Sequence, residues 1–166
     1  MKSIAIASKK AWFRPQIRPS IRPTYRQYER RKLGGRAESA AGIAHMLRQS
    51  FFATSFAGFW RNWNPLFSYY LLYYSYRPLQ KRLPRPWALL GTFLLSGAVH
   101  DLAATLLLQR GVFLFAPAFG LFALWVILEA WLGISLKPLP PGLRPLYHLA
   151  LIAGSFFLVK MLFASQ

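Results

Sequence analysis

Two polar groups interrupt strongly apolar sequence, and they are the residues best placed to do chemistry. One is the segment Phe59-Trp60-Arg61-Asn62-Trp63-Asn64, and the other is His100-Asp101, inside the apolar residues 87–109. An ionisable side chain is costly near the middle of a membrane helix, so its presence there indicates a functional site. The imidazole titrates near neutral pH, which makes His100 a candidate catalytic residue. A structural histidine bonded to a hydroxyl or a carbonyl is the alternative.

His100 and Asp101 are adjacent, so on a helix their side chains point about 100° apart and do not face each other. Asp101 is therefore not expected to orient the imidazole. We expect this carboxylate to pair with an arginine or to face a water-filled cavity, and the same holds for Glu129. Arg110, near the opposing turn, is a candidate partner for either.

The other two histidines carry weaker signals. His148 opens the third apolar segment and is interpreted as an interfacial residue, while His45 shows no informative spacing. No histidine in the chain has another histidine or a carboxylate three or four residues further on. The sequence therefore indicates no metal or haem site.

The composition is that of a membrane protein. Of the 166 residues, 55% are hydrophobic and only 15% are charged, whereas about 25% is usual for a soluble domain. The absence of cysteine excludes disulfides, thiolate metal sites and a cysteine nucleophile.

The basic residues are concentrated in an amino-terminal arm, residues 1–36. This arm holds eleven of the 21 Lys and Arg residues against one acid, Glu29, so its net charge is about +10 (11 − 1). An Arg-Pro pair recurs every four residues at positions 14, 18 and 22. Because proline disfavours helix at the residue before it, we expect the arm to run extended or polyproline-like.

Three interpretations of the arm remain open. It is a solvated cytoplasmic tail that follows the positive-inside rule, or it docks onto anionic lipid or an acidic partner surface. In the second case Trp12, Phe13 and Tyr25 would be its apolar anchors. Nucleic acid is a less favoured partner, because basic charge alone is weak evidence for it.

Residues 50–76 hold twelve aromatic side chains and are broken by Pro65. Trp and Tyr prefer the headgroup level of a bilayer, so this segment is predicted to lie in or re-enter the interface rather than to span. Residues 38–49 are predicted to form a short interfacial helix before it. A basic cluster follows at residues 77–85, and without a span in between it stays on the same side as the arm.

Three membrane-spanning helices are predicted after this cluster, at residues 87–109, 112–136 and 146–163. A helix rises about 1.5 Å per residue, so about 20 residues cross the hydrocarbon core. The loop at 137–142, with Arg144 beside it, is predicted to be cytoplasmic, which places the amino terminus inside and the carboxyl terminus outside. The fold class is therefore an all-α integral membrane protein, with one membrane domain at residues 37–166.

The polar motifs, taken in order, resemble those of the membrane-bound O-acyltransferase family. The first motif, residues 59–64, is followed by Tyr74, Tyr76 and Pro78-Leu79. The second, residues 93–101, resembles the family's Ser/Gly-rich helix that ends in His. The Asn64–His100 separation is 100 − 64 = 36 residues, and the resemblance covers about half of the chain, residues 50–136.

The resemblance implies an activity and a set of site residues. His100 would be the general base that activates an acceptor hydroxyl for attack on an acyl thioester, usually acyl-coenzyme A, and Asn64 would orient the acceptor or stabilise the oxyanion. The resemblance also implies residues that line the acyl channel, namely Trp60, Trp63, Ser96 and Gly97. The coenzyme's phosphates would be bound by basic residues, namely Arg77, Lys81 and Arg82.

The chain departs from the family pattern in its length, with three predicted spans where members have eight or more. Two functions of different class follow. One is a minimal O-acyltransferase completed by self-association or by other membrane subunits. The other is a non-catalytic descendant of the family, an accessory subunit of a larger membrane complex, in which His100 and Asp101 would make interhelical hydrogen bonds and the arm would dock onto partner subunits or anionic lipid.

Overall fold

The computed structural model describes residues 22–34 and 39–163, and all the regular structure in these two ranges is helical. Short helices come first. They are α1 (Tyr25–Leu33), α2 (Ala40–Phe51), α3 (Phe56–Asn62) and α4 (Pro65–Tyr70), after which the chain continues without a break through a π-helix (Leu71–Tyr76) into α5 (Arg77–Gln80).

Three long apolar helices follow: α6 (Arg85–Leu108), α7 (Phe115–Leu132) and, after a 3₁₀ turn at Pro141–Leu143, α8 (Arg144–Phe163). Each is long and apolar enough to cross a membrane, which confirms the three predicted spans. The second span ends earlier than predicted. Gly133 terminates it in the left-handed conformation (φ 72°), because glycine reaches that region without steric cost.

Residues 50–76 form a series of broken helices, and none of the candidate spans in the described part of the chain falls there. This agrees with the prediction that the aromatic segment does not span. Its position at the membrane interface stays a prediction.

The arm differs from the extended conformation predicted for it. Residues 22–24 are not helical, but Tyr25–Leu33 forms α1. Thr24 and Gln27 close a capping box, with backbone-to-side-chain distances of 3.3 Å and 3.0 Å. The physical reason is that Pro23 is the last proline of the repeat, so every later residue retains the N–H that a helix needs. The first two Arg-Pro pairs lie outside the described residues.

The core joins the first motif to the second span. Phe56 and Phe59 on α3 pack against Phe119, Phe122 and Val126 on α7, and all five are buried. Burial of this aromatic surface against a long helix fixes α3, and with it the polar residues at the end of α3, close to α6 and α7.

Candidate active site

His100 lies on α6, and among the described residues only its Nδ1 has a hydrogen-bond partner. Nδ1 lies 2.7 Å from the backbone carbonyl oxygen of Ser96. Because a carbonyl oxygen only accepts, Nδ1 carries the proton and donates it, and Nε2 keeps its lone pair. The rings of Phe67, Phe115 and Phe119 surround the imidazole, with centroids 5.7, 5.7 and 5.0 Å away. The Ser96 carbonyl thus orients the ring so that, in the neutral tautomer with the proton on Nδ1, the lone pair lies on Nε2.

Asn64 forms the break between α3 and α4. Its backbone adopts a positive φ of 43°, a region that asparagine tolerates better than most residues. Its side-chain oxygen accepts a hydrogen bond from the N–H of Phe67 and caps α4, which starts at Pro65. Within the described residues no group accepts from the side-chain Nδ2, so both of its N–H bonds are available to a ligand.

A cavity of about 320 Å³ brings the two motifs together. Asn64 lines it from the α3–α4 break and His100 from α6. Three other residues that the sequence analysis assigned to the site also line it: Trp60, Trp63 and Ser96. Its walls also come from the π-helix, whose widened turn is a form often found at functional sites. Asn64 and His100, which are 36 residues apart in the sequence, therefore line the same cavity.

Trp60 contributes an unpaired donor to this region. Its ring stacks on Phe122 with centroids 4.9 Å apart. The indole Nε1 is buried, and no acceptor among the described residues bonds to it. A buried N–H without a partner costs free energy, about 1–3 kcal/mol, unless a ligand supplies an acceptor.

Other residues assigned to the site lie elsewhere. Gly97, expected in the wall of an acyl channel, lies at the contact between α6 and α7, where a Cβ would come within 2.5 Å of the Ala116 Cα. Arg77 places its guanidinium over the ring of Tyr73, 4.5 Å from the centroid. Neither residue lines the cavity, and nor do Lys81 and Arg82. The basic residues that do line it are Arg61 and Arg85.

Asp101 caps a helix instead of pairing with an arginine. Its Oδ1 accepts the backbone N–H groups of Leu114 and Phe115 at 2.8 Å each, and its Oδ2 accepts that of Ala116 at 2.8 Å. The sequence-based expectation of an Arg110 partner is therefore wrong. A carboxylate at the positive end of a helix, with three N–H donors, is satisfied without a cation.

Glu129 takes the same role for α3. Its two carboxylate oxygens lie 3.1 and 2.8 Å from the backbone nitrogen of Phe56, and one of them accepts from the Tyr147 hydroxyl at 2.8 Å. Arg110 is not its partner either.

His148, interpreted from the sequence as an interfacial residue, is fully buried, and its Nε2 donates to the carbonyl of Ala53 at 3.2 Å. Glu129 on α7 and His148 on α8 therefore hold the start of α3 in place.

Helix α1 adds a residue that the sequence analysis did not assign to the site. Tyr28 lines the cavity with Asn64 and His100, and burial raises the pKa of its hydroxyl. Lys32, one turn further along, donates to the Arg61 carbonyl at 2.8 Å, and burial lowers its pKa. No local pattern could have found Tyr28, because its place in the wall depends on where α1 docks.

Fold and site together define an integral membrane protein in which Asn64 and His100 line one cavity with aromatic walls. The family model for membrane-bound O-acyltransferases (MBOAT) matches residues 41–127, which is 127 − 41 + 1 = 87 of 166 residues and just over half of the chain. The chain belongs to this family, and both Asn64 and His100 fall within the match. Comparison with curated proteins and with solved structures gives no match for this chain.

Proposed function

We propose that this protein transfers an acyl group from acyl-coenzyme A to a hydroxyl acceptor in the cavity between α3 and α6. The observation that carries the proposal is that Asn64 and His100 line one cavity while the Ser96 carbonyl engages His100 Nδ1 and not Nε2. Membership of an O-acyltransferase family supplies the reaction class.

The proposed step begins when His100 Nε2 takes the proton of the acceptor hydroxyl. The hydroxyl oxygen attacks the thioester carbonyl carbon, and the carbonyl electron pair moves onto its oxygen. Asn64 Nδ2, for which the described residues offer no acceptor, is suited to stabilise that oxyanion. The C–S bond then breaks, and the coenzyme's sulfur leaves with the proton held by His100, giving an ester and free coenzyme A.

The second candidate is a non-catalytic subunit of a larger membrane assembly. It is favoured by the contacts of His100, because the Ser96 bond and three aromatic neighbours would also hold a purely structural histidine. Arg26, Arg30 and Arg31, all exposed on α1, would then contact anionic lipid or partner subunits.

The test is ester formation from radiolabelled palmitoyl-coenzyme A and hexadecanol by the purified chain in lipid nanodiscs. His100→Ala should lower the rate by about 10²–10⁴-fold, and Asn64→Ala by about 10²-fold or more. His45→Ala, at an exposed histidine outside the cavity, is the control and should match the wild type. Transfer that survives in His100→Ala would contradict the catalytic proposal. Absence of transfer in the wild type, with stoichiometric recovery in a complex of unrelated subunits, would favour the second candidate.

A further inference from the structure

Helix α1 is fastened to the motif-bearing part of the chain at its amino-terminal end. The guanidinium of Arg22 lies over the rings of Tyr69, Tyr73 and Tyr74, at 5.4, 5.4 and 4.2 Å from the centroids. Arg22 Nε also donates to the Tyr69 hydroxyl at 3.1 Å, and this hydroxyl donates to the Pro23 carbonyl at 2.9 Å. One arginine is thus held by three tyrosines of α4 and the π-helix.

A second attachment lies at the other end of α1. Lys32 Nζ donates to the backbone carbonyl of Arg61 and to the side-chain oxygen of Asn62, at 2.8 and 3.3 Å. Both acceptors belong to the last turn of α3, where free carbonyls attract cations. The same Asn62 side chain donates to the carbonyl of Gln49 at 3.1 Å. Lys32 therefore ties α1 to the segment that leads directly into Asn64.

Tyr28 lies between these two attachments and faces inward. Its ring contacts that of Tyr69 edge-on, with centroids 5.5 Å apart, and the residue lines the cavity. The neighbouring Arg26 is exposed and does not line it. The two fixed ends leave Tyr28 little freedom to withdraw from the wall of the cavity.

We propose that α1 forms one wall of the substrate chamber and that Tyr28 contacts the acyl or acceptor chain, so that a residue of the basic arm determines which substrate fits. This rests on the proposed function for the identity of the ligand. Helix α1 thereby adds a wall to a cavity that the spanning helices α6 and α7 line from other sides.

The first test measures ligand contact without any catalysis. Because the chain has no cysteine, Tyr28→Cys and Arg26→Cys each introduce a single thiol for N-ethylmaleimide. Tyr28→Cys should react several-fold more slowly than Arg26→Cys, because thiol reactivity follows exposure. The hexadecyl thioether of coenzyme A, which cannot transfer its chain, should slow Tyr28→Cys further and leave Arg26→Cys unchanged. Hexadecanol, the acceptor, is tested in the same way. Equal rates for the two thiols, or protection of Tyr28→Cys by neither the thioether nor hexadecanol, would overturn the proposal.

The second test concerns selectivity. Tyr28→Trp enlarges the wall and should lower kcat/KM for hexadecanol relative to butanol by about tenfold, the usual effect of a changed pocket contact. Arg26→Trp places the same side chain on the exposed face of α1 and should keep the wild-type ratio. An unchanged ratio in Tyr28→Trp would overturn the proposal. If the wild-type chain shows no acyl transfer, only the proposed function is refuted, because protection of the thiol is measured without turnover.

Discussion

His100 and Asp101 are neighbours in the chain but serve different parts of the molecule. The imidazole bonds back to the Ser96 carbonyl of its own helix, whereas the carboxylate reaches across to the first turn of α7. The side chains diverge because adjacent helical residues point about 100° apart. His100 thereby lines the cavity, while Asp101 joins α6 to α7.

Asp101→Asn should destabilise the fold by about 2 kcal/mol, because an amide offers one acceptor oxygen and no charge to the three N–H groups at the start of α7. Unfolding by SDS titration in mixed micelles measures the loss. Arg110→Ala is the matched control. Arg110 is exposed, so this change should stay within about 0.5 kcal/mol of the wild type. An equal loss in both variants would show that the pair acts together and that the cap is not the main role of Asp101.

Gly97→Ala should cost about 1–3 kcal/mol through overpacking. A Cβ at this position would lie 2.5 Å from the Ala116 Cα and 2.6 Å from the Phe115 carbonyl oxygen, so α6 and α7 would have to separate. Gly154→Ala, on α8, has no atom within 4 Å of its added Cβ and should be neutral or stabilising by up to about 1 kcal/mol. The comparison is made by thermal unfolding in nanodiscs. A neutral Gly97→Ala would refute the close contact between these helices.

Glu129→Gln should cost more than Tyr147→Phe. The carboxylate holds both the Phe56 N–H and the Tyr147 hydroxyl, and a glutamine has a single oxygen for the two donors. We expect about 2–3 kcal/mol for the charge-assisted pair and about 1 kcal/mol for the hydroxyl alone. Both values come from unfolding by SDS titration. If Tyr147→Phe costs as much as Glu129→Gln, the hydroxyl contact, and not the cap on α3, is the main contribution.

Arg22→Ala should release α1 from the aromatic segment, since it removes the cation from the rings of Tyr69, Tyr73 and Tyr74. In a Tyr28→Cys background the N-ethylmaleimide rate should rise towards that of an exposed thiol. Arg22→Lys keeps the charge but loses the planar donor group, and should give an intermediate rate. Arg26→Ala removes an exposed arginine of the same helix and should leave the rate unchanged. If Arg22→Ala also leaves it unchanged, Arg22 does not hold α1.

The candidate site was predictable only where local sequence carried the information. Asn64 and His100 belong to motifs with fixed residue types and order, so their pairing in one chamber could be expected from the sequence. Gly97 was assigned to the acyl channel on the family resemblance, as a glycine that lets the acyl chain approach closely, but its position on α6 places it against α7 instead. Tyr28 is one of several aromatic residues near basic ones, and nothing local distinguishes it.

The sequence by itself determined the three membrane spans, the break at Pro65 and the family, because hydropathy, proline geometry and motif order are properties of the chain read locally. The end of the second span at Gly133 was not predicted and came from the structure. Only the tertiary structure decided the partners of Asp101 and Glu129 and the place of α1. A buried carboxylate binds whichever donors the fold brings near, and here these are the free N–H groups of two helix ends, not the guanidinium of Arg110. Likewise, α1 lies where Tyr28 lines the cavity because Arg22 and Lys32 meet their acceptors across the fold.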